Sequence, residues 1–304
     1  MLSRKQKHIL LKFFSMFSVV RGYNILVLVV AQYLSAIFIL AHKKPLREVL
    51  FDINLFLIVL ASAAAIAGGY IINNFYDSEK DLINRPQKSM LDRLVSQNTK
   101  LSFYFVLNFL AAIFASYVSF RAVIFFSAYI FFIWFYSHKL KKLPFIGNLT
   151  SALLAIAPFF AIFVYYKNFE QVIFVHAMFL FLLISMRELT KDLENIKGDL
   201  ALNYQTIPIA YGEKTSKVML TILALLTLIP SYLLVFHYNN GYMDYYFYFS
   251  TFQLGVFIFL LWRAGMRSQY VNLHNLLKFI IVTGVIGIVL IKPSVVIDSV
   301  NIVR

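Results

Sequence analysis

The sequence predicts an all-α membrane protein with nine transmembrane helices, and three observations predict it. First, 61% of the 304 residues are hydrophobic and the mean hydropathy is +0.75, too apolar for a soluble domain of this length. Second, the apolar residues come in long unbroken runs. Each run is near the ~20 residues that a helix needs to cross a bilayer, and none has the alternation of a barrel strand. Third, the basic residues fall on alternate loops, with a parity that calls for an odd number of spans.

The spans are expected at 21–41, 53–74, 101–119, 121–138, 148–165, 171–189, 217–237, 246–263 and 276–292. The first follows a basic, Phe-rich segment with no small-residue cleavage site, so it reads as a span rather than a removable signal. Near the end of the second, Gly68-Gly69 is suited to close helix approach. Pro86 should end or bend the helix that continues past this span. The sixth contains His176, expected to hydrogen-bond between helices. A turn at His237–Tyr242 separates the seventh and eighth, and its tyrosines, with Tyr245, Tyr246 and Tyr248, read as an interfacial belt. No linker divides the chain, so residues 1–304 read as one membrane domain. Cysteine is absent, which excludes disulfides and thiolate metal sites.

The net charge of +14 invites a nucleic-acid reading, but orientation accounts for it and no nucleic-acid partner is expected. Of the 28 basic residues, 21 lie in the N-terminal segment or beside the loops after spans 2, 4, 6 and 8. The other face holds only Lys43, Lys44, Arg47, Arg121, Lys167, Lys292 and Arg304. The positive-inside rule therefore places the N-terminus in the cytoplasm and the C-terminus on the opposite side, with the cell membrane as the expected location. Nine of the 14 acidic residues also gather on the cytoplasmic face, beside spans 2 and 6. Orientation does not require acids there, so their gathering calls for a chemical reason.

That reason lies in two polar segments, 75–100 and 187–216, each following a long span and hinting at two similar halves. At ~100° per residue, Glu188, Asp192, Asn195 and Asp199 share one narrow stripe if the helix runs through Gly198. Asn73, Asp77, Asp81 and Asn84 form a second stripe, with Asn74 at its edge. Carboxylate faces at the end of a membrane helix are costly without a cation. Magnesium takes oxygen ligands and binds through one or two carboxylates plus substrate phosphates. Two facing stripes could therefore hold magnesium around a diphosphate, with Arg85, Lys88, Lys139, Lys141, Lys142 and Lys191 neutralising the rest of its charge. The blander reading is a solvated rim of modest ion pairs. His138 beside the basic run could act as a base, but an ordinary interfacial histidine is the simpler reading. The 32 Phe and 19 Tyr could line a dry cavity, yet no single aromatic stands out.

These residues resemble the UbiA-type membrane prenyltransferases. The first segment reads Asn73-Asn74-Phe75-Tyr76-Asp77-Ser78-Glu79-Lys80-Asp81, followed by Asn84-Arg85-Pro86, and resembles the family's N-D-x-x-D-x-x-x-D motif. The second, Arg187 through Asp199, resembles its D-x-x-x-D motif and runs into Gln205-Thr206-Ile207-Pro208. Arg21-Gly22-Tyr23-Asn24, Tyr136-Ser137-His138-Lys139-Leu140-Lys141 and Pro144 through Asn148 match further pieces. The resemblance implies nine helices around a central cavity with cytoplasmic polar caps. It implies Mg2+-dependent transfer of a polyprenyl group from an allylic diphosphate to a hydrophobic acceptor, with release of pyrophosphate. By position, Asp77, Asp81, Asp192 and Asp199 would be the catalytic, metal-binding carboxylates. Asn73 would orient a metal or diphosphate oxygen. Arg85, Lys139 and Lys141 would contact phosphate, Asn24 would line the cavity, and Asn74, Lys191 and Asn195 complete the expected substrate-binding set.

Two positions depart from the family pattern, Asn74 and Asn195, where Asp is usual. Each keeps an oxygen ligand and loses a negative charge, so Asn74→Asp is expected to tighten magnesium dependence. The pattern at 187–194 most resembles the branch acting on a prenylglyceryl phosphate, ahead of aromatic-acid or quinone-precursor prenylation. A readings of another class is a cation-coupled carrier or a lipid-binding homologue without catalysis. Protein partners, prenyl chain length and oligomeric state leave no mark in the sequence.

Overall fold

The structure, a computed structural model, describes residues 3–295 and residue 297. Arg304 and the C-terminus, placed above on the outer face, lie outside the described residues. Among the described residues, nine helices are long and apolar enough to cross a membrane. They are α2 with the π-turn that extends it (Gly22–Leu40), α4 (Ile53–Tyr76), α7 (Gln97–Val118), α8 with a 3-10 turn (Phe120–Lys142), α9 (Ile146–Tyr166), α10 (Gln171–Ala201), α11 (Ile207–Phe236), α12 (Asp244–Arg263) and α13 (Arg267–Gly287). Short helices α1 (Arg4–Val19), α3 (Leu46–Leu50), α5 (Ser78–Asn84) and α6 (Pro86–Asp92) complete the chain. The protein is an integral, multi-pass membrane protein.

The helices agree with the nine spans read from hydropathy, but four of them run further. α7 begins at Gln97, α10 continues to Ala201, α11 begins at Ile207 and α13 at Arg267. Hydropathy reports where a helix leaves the apolar layer, not where its hydrogen-bond ladder ends. At 1.5 Å per residue the 31 residues of α10 span roughly 46 Å, well beyond a ~30 Å hydrocarbon core. The surplus turns form the cap that carries Asp192 and Asp199. Pro86 acts as expected. α5 stops at Arg85, whose backbone is non-helical (φ −142°, ψ 65°), and Pro86 opens α6 at its first turn. Asp77 sits at a shallow break between α4 and α5, yet its N–H still reaches Asn73 O at 2.9 Å and its carbonyl accepts from Asp81 N at 2.8 Å. The acidic stripe therefore survives the break. α11 is bent by Gly212, whose φ of 86° suits glycine alone.

The core falls into two clusters. One, from α2, α4 and α7–α9, includes Leu55, Ile58, Ala111, Phe126 and Ile162. The other, from α10–α13, includes Leu183, Met186, Leu220, Phe257 and Leu277. α10 supplies Ile173 to the first and Phe179 onward to the second, so it is the element both halves share. Within the first half, small residues set the spacing. Gly68 faces Tyr104 and Asn108 of α7, and Gly69 faces Ile133 of α8, the close approach expected of the pair.

Pro158 interrupts the ladder of α9. It has no N–H, so the carbonyl four residues back loses its partner. The Tyr129 hydroxyl donates to that carbonyl, Leu154 O, at 2.9 Å. The carbonyl of Pro158 itself accepts from Gln32 Nε2 at 3.1 Å, and the same amide reaches Ser62 Oγ at 3.1 Å. Tyr129→Phe keeps the ring and strands the carbonyl. The expected cost is about 1 kcal/mol, measured as a lower thermal unfolding midpoint of the purified protein in detergent.

Candidate active site

The two acidic segments meet through one close contact. Asn84, at the end of α5, lies against Gly198 of α10. Its Nδ2 donates to Asn195 O at 3.4 Å and its Oδ1 accepts from Gly198 N at 3.1 Å. A Cβ at 198 would strike the Asn84 amide and the Lys80 stem. Glycine is thus what lets α5 lie on α10, and that contact puts Asp77 and Asp199 on either side of Lys80.

The cluster that results is buried and charged. Lys80 Nζ lies 2.8 Å from Asp199 Oδ1 and 4.0 Å from Asp77 Oδ1. Lys141 Nζ donates to Asp77 Oδ1 at 2.7 Å and to Asn73 Oδ1 at 3.3 Å. The Tyr204 hydroxyl donates to Asp77 Oδ1 at 3.4 Å, and the Tyr204 ring lies 4.7 Å from Lys80 Nζ and 5.2 Å from Lys142 Nζ. Thr206 Oγ1 donates to Asp199 Oδ2 at 3.4 Å. Asp192, half-buried one stripe position away, accepts from Asn148 Nδ2 at 2.9 Å and contributes to the field at Lys80.

Burial alone would raise the Asp77 carboxyl, but the Lys141 and Lys80 ammonium groups outweigh it and bring it down to about 2. Burial likewise works against the charge on Lys80, and Asp77 and Asp199 reverse it, holding this ammonium above the usual lysine range. For Tyr204, burial and then Asp77 push the phenol up, so it stays a neutral donor. Asp77 and Lys80 are therefore both held in their charged forms at neutral pH.

Not every expected residue joins it. Asn73, Asp77, Lys141, Asp192 and Asp199 are brought together. Asp81 is half-buried, one turn beyond Asp77, and its carboxylate has no ion-pair partner among the described residues. Asn195 meets α5 through its backbone carbonyl. Lys191 pairs with Glu188 at 2.9 Å, as Arg187 does at 3.2 Å. Asn24 Nδ2 lies 3.3 Å from Tyr70 OH, with the Arg21 guanidinium 5.0 Å from the same ring.

Three of the expected residues lie apart from the cluster. Asn74 faces the other way, about 100° round the helix from Asn73. Its Nδ2 donates to Asp92 Oδ2 at 3.1 Å and its Oδ1 accepts from the buried Lys100 Nζ at 2.9 Å. Ser18 and Lys88 complete this knot on Asp92, at 2.8 and 3.4 Å. Arg85 is committed to Glu194 at 2.8 Å, which also meets His274 at 2.9 Å and Arg267 at 3.5 Å. Lys139 is exposed beyond the end of α8 and has no ion-pair partner among the described residues. The two histidines noted in the sequence make other contacts. His138 stacks on Trp134 at 5.5 Å and lies 5.3 Å from the Tyr76 ring, and His176 Nδ1 bonds Val172 O of its own helix at 2.9 Å rather than a neighbouring one.

Lys80, Asn148 and Tyr204 were missed. Lys80 and Asn148 stood inside the quoted motifs, Lys80 counted only toward orientation. Tyr204, on the α10–α11 connection, left no signal.

An apolar cavity of about 190 Å³ lies between α2, α9, α10, α12 and α13, lined by Ile39, Phe159, Phe163, Phe179, Leu183 and Tyr246 among others. It is not at the charged cluster. Leu183 precedes Asp192 by nine residues on α10, roughly 13 Å along the axis.

Oxygen donors are plentiful at the cluster, but among the described residues no three acidic or imidazole groups converge enough to hold a metal ion unaided. The donor set nonetheless fits magnesium, which asks the protein for only one or two carboxylates.

A helical membrane bundle with paired acidic cap segments over an apolar interior has the architecture of a polytopic prenyl-transferring enzyme. The chain belongs to the UbiA prenyltransferase family, which it matches over residues 29–280. It is 30% identical over 248 residues to digeranylgeranylglyceryl phosphate synthase of Methanobrevibacter smithii, covering 77% of this chain and 84% of that one. To the synthase of the same name from Thermococcus sibiricus it is 33% identical over 217 residues, covering 71% and 75%. Among solved structures, one of a digeranylgeranylglyceryl phosphate synthase superposes with a TM-score of 0.69 at 22% identity, over 92% of this chain and 98% of that one. A UbiA homologue from Archaeoglobus fulgidus bound to GPP and Mg2+ gives 0.66 at 14% identity, over 90% and 99%.

Asn74→Leu removes both polar atoms from the Asp92–Lys100 knot and leaves a buried ammonium without its 2.9 Å acceptor. The expected loss is about 1–3 kcal/mol of stability, seen as a lower unfolding midpoint in detergent.

Proposed function

We propose that this enzyme transfers a polyprenyl group from an allylic diphosphate to a prenylglyceryl phosphate, with Mg2+, releasing pyrophosphate. The observation that carries the reading is the junction of Asp77, Lys80 and Asp199 from the two cap segments with Lys141 from the turn after α8, at one end of a bundle with an apolar cavity. The names of its relatives support the acceptor class, and the Mg2+ and GPP bound by the Archaeoglobus fulgidus homologue support the ion and the donor class.

Asp77, Asp192 and Asp199, with Asp81 one turn beyond, are the residues that would hold the ion. When bound, it supplies Lewis-acid stabilisation of the departing diphosphate. The chain's own residues do the rest. Lys141 and Lys80 present ammonium groups toward which diphosphate oxygens can turn. Asn73 is held by Lys141, and Asn148 fixes the orientation of the Asp192 carboxylate. The allylic C–O bond breaks with its electron pair on the pyrophosphate. An acceptor hydroxyl then attacks the prenyl carbon and gives up its proton to the released pyrophosphate as the new C–O bond forms. The apolar, aromatic cavity keeps water from the prenyl chain. The positive-inside asymmetry supports a cytoplasmic position for this site and for the N-terminus.

The test is incubation of the purified protein with labelled geranylgeranyl diphosphate, Mg2+ and a panel of acceptors. Pyrophosphate release with a new lipid product from the prenylglyceryl phosphate is expected; binding without release would overturn the reading. Asp77→Ala and Asp192→Ala should each lower turnover by about 10²-fold or more while leaving the helical circular dichroism unchanged. Full activity in both variants would remove the metal site. Because Asn74 faces Lys100 and Asp92, Asn74→Asp should leave the magnesium midpoint of turnover where it is, contrary to the expectation from sequence; a tighter midpoint would return this residue to the site.

A further inference from the structure

Lys80 is the unusual member of the cluster. It comes from the same short helix as Asp81, yet its ammonium lies between carboxylates of two separate segments, 2.8 Å from Asp199 and 4.0 Å from Asp77. Its side chain is 13% exposed. Three further features hold it there. Its stem packs over the bare backbone of Gly198, its ammonium lies 4.7 Å from the centre of the Tyr204 ring, and Tyr204 is itself tied to Asp77. Asp199, against which it rests, is fully buried. This is a packed position, and a long surface lysine sampling many rotamers would not show it.

The charges make the consequence concrete. Asp77, Asp81, Asp192 and Asp199 bring four formal negative charges, and Lys80 with Lys141 returns two formal positive ones. Asp77 Oδ1 already faces both lysines, and Asp199 Oδ1 faces Lys80. Asp81 and Asp192 have no ion-pair partner among the described residues. A divalent ion entering between Asp77 and Asp199 would meet a like charge at contact distance. Asp192, held by the Asn148 amide at 2.9 Å, keeps oxygen lone pairs open.

We infer that Lys80 is a built-in counter-cation that replaces one divalent ion between the two acidic segments, so that this chain loads one metal fewer with its diphosphate than its carboxylates alone would hold. The inference rests on the reading of the cluster as a metal–diphosphate site. Asn74, turned to the Lys100 knot, and Asn195, neutral on the α10 stripe, lower the negative charge further and in the same direction.

The experiment counts ions rather than product. Purified protein in detergent is titrated with Mn2+ in the presence of inorganic pyrophosphate, and bound Mn2+ is read by electron paramagnetic resonance. Wild type is compared with Lys80→Met and Lys80→Gln, two neutral replacements of similar length, with circular dichroism confirming that at least one of them is folded. The expected result is one additional Mn2+ per chain in the neutral variants, or Mn2+ binding tighter by about tenfold or more from removal of the adjacent like charge. Lys80→Arg, which keeps the charge, should bind as wild type does. Equal counts and affinities in wild type and neutral variants would overturn the inference and leave Lys80 as a place-holder that ions displace. Failure of every form to bind Mn2+ with pyrophosphate would overturn the metal–diphosphate reading itself, and the inference with it.

Discussion

The contact between Asn84 and Gly198 is the constraint from which the site follows. α5 and α10 belong to different halves of the chain, and only their close approach brings Asp77 and Asp199 to one lysine. That approach needs a residue without a Cβ on α10 and a short amide on α5 able to meet one carbonyl and one N–H together. Had the helices stayed a side chain further apart, the carboxylates would face water as two separate rims. Their charges would then be screened and their pairings worth little. Brought together under low solvent exposure, the same groups form a fixed field in which Asp77 stays ionised near neutral pH by a wide margin.

Other buried charges of the cap serve the frame. Glu194 gathers Arg85, Arg267 and His274, and so ties α5, α10 and α13. Asp92 gathers Asn74, Lys88 and Ser18, and so ties α1, α4 and α6, with Lys100 of α7 joined through Asn74. In both knots each carboxylate is saturated by partners from its surroundings. At the site the balance differs. Among the described residues Asp192 keeps a single amide donor and Asp81 none, so oxygen lone pairs remain for a ligand. What separates the proposed site from the structural knots is this incomplete satisfaction, since all three are acidic and basic in similar measure.

Much of this was legible in the sequence. Apolar runs and loop charge gave nine spans with the right order, because both signals come from the bilayer and not from tertiary contacts. The helix period placed Asp192 and Asp199 on one stripe and Asn73 and Asp77 on another, because a ladder that continues past the membrane keeps its phase. Direction round the helix was harder. Asn74 stood at the edge of a stripe, and which neighbour it faced depended on a buried lysine on α7 that no local pattern announces. Arg85 looked free because its partner Glu194 lies on a different helix. Tyr204 was invisible because a connection of a few residues has no periodicity to read. Lys80 was visible and misjudged, because a lysine at a membrane end is ordinarily a topology signal.

The axis of α10 links the site to the rest of the bundle. Its cap turns carry Asp192 and Asp199, and its membrane turns, from Ile173 to Leu183, line the apolar cavity. A carrier for a hydrated ion places its polar groups near the bilayer midplane, often where helices break. Here α10 is unbroken over 31 residues, the charges gather at one end, and the cavity beyond them is walled by phenylalanine and aliphatic side chains. Such an arrangement suits a molecule with an anionic head and a long apolar tail, lying along the membrane normal with its two ends in two different solvents. For such a molecule, desolvation of the tail would favour binding in the cavity, and the charged end would set orientation. The bond between head and tail would then fall at the boundary of the two environments, where separated charge can be held on one side and water excluded from the other.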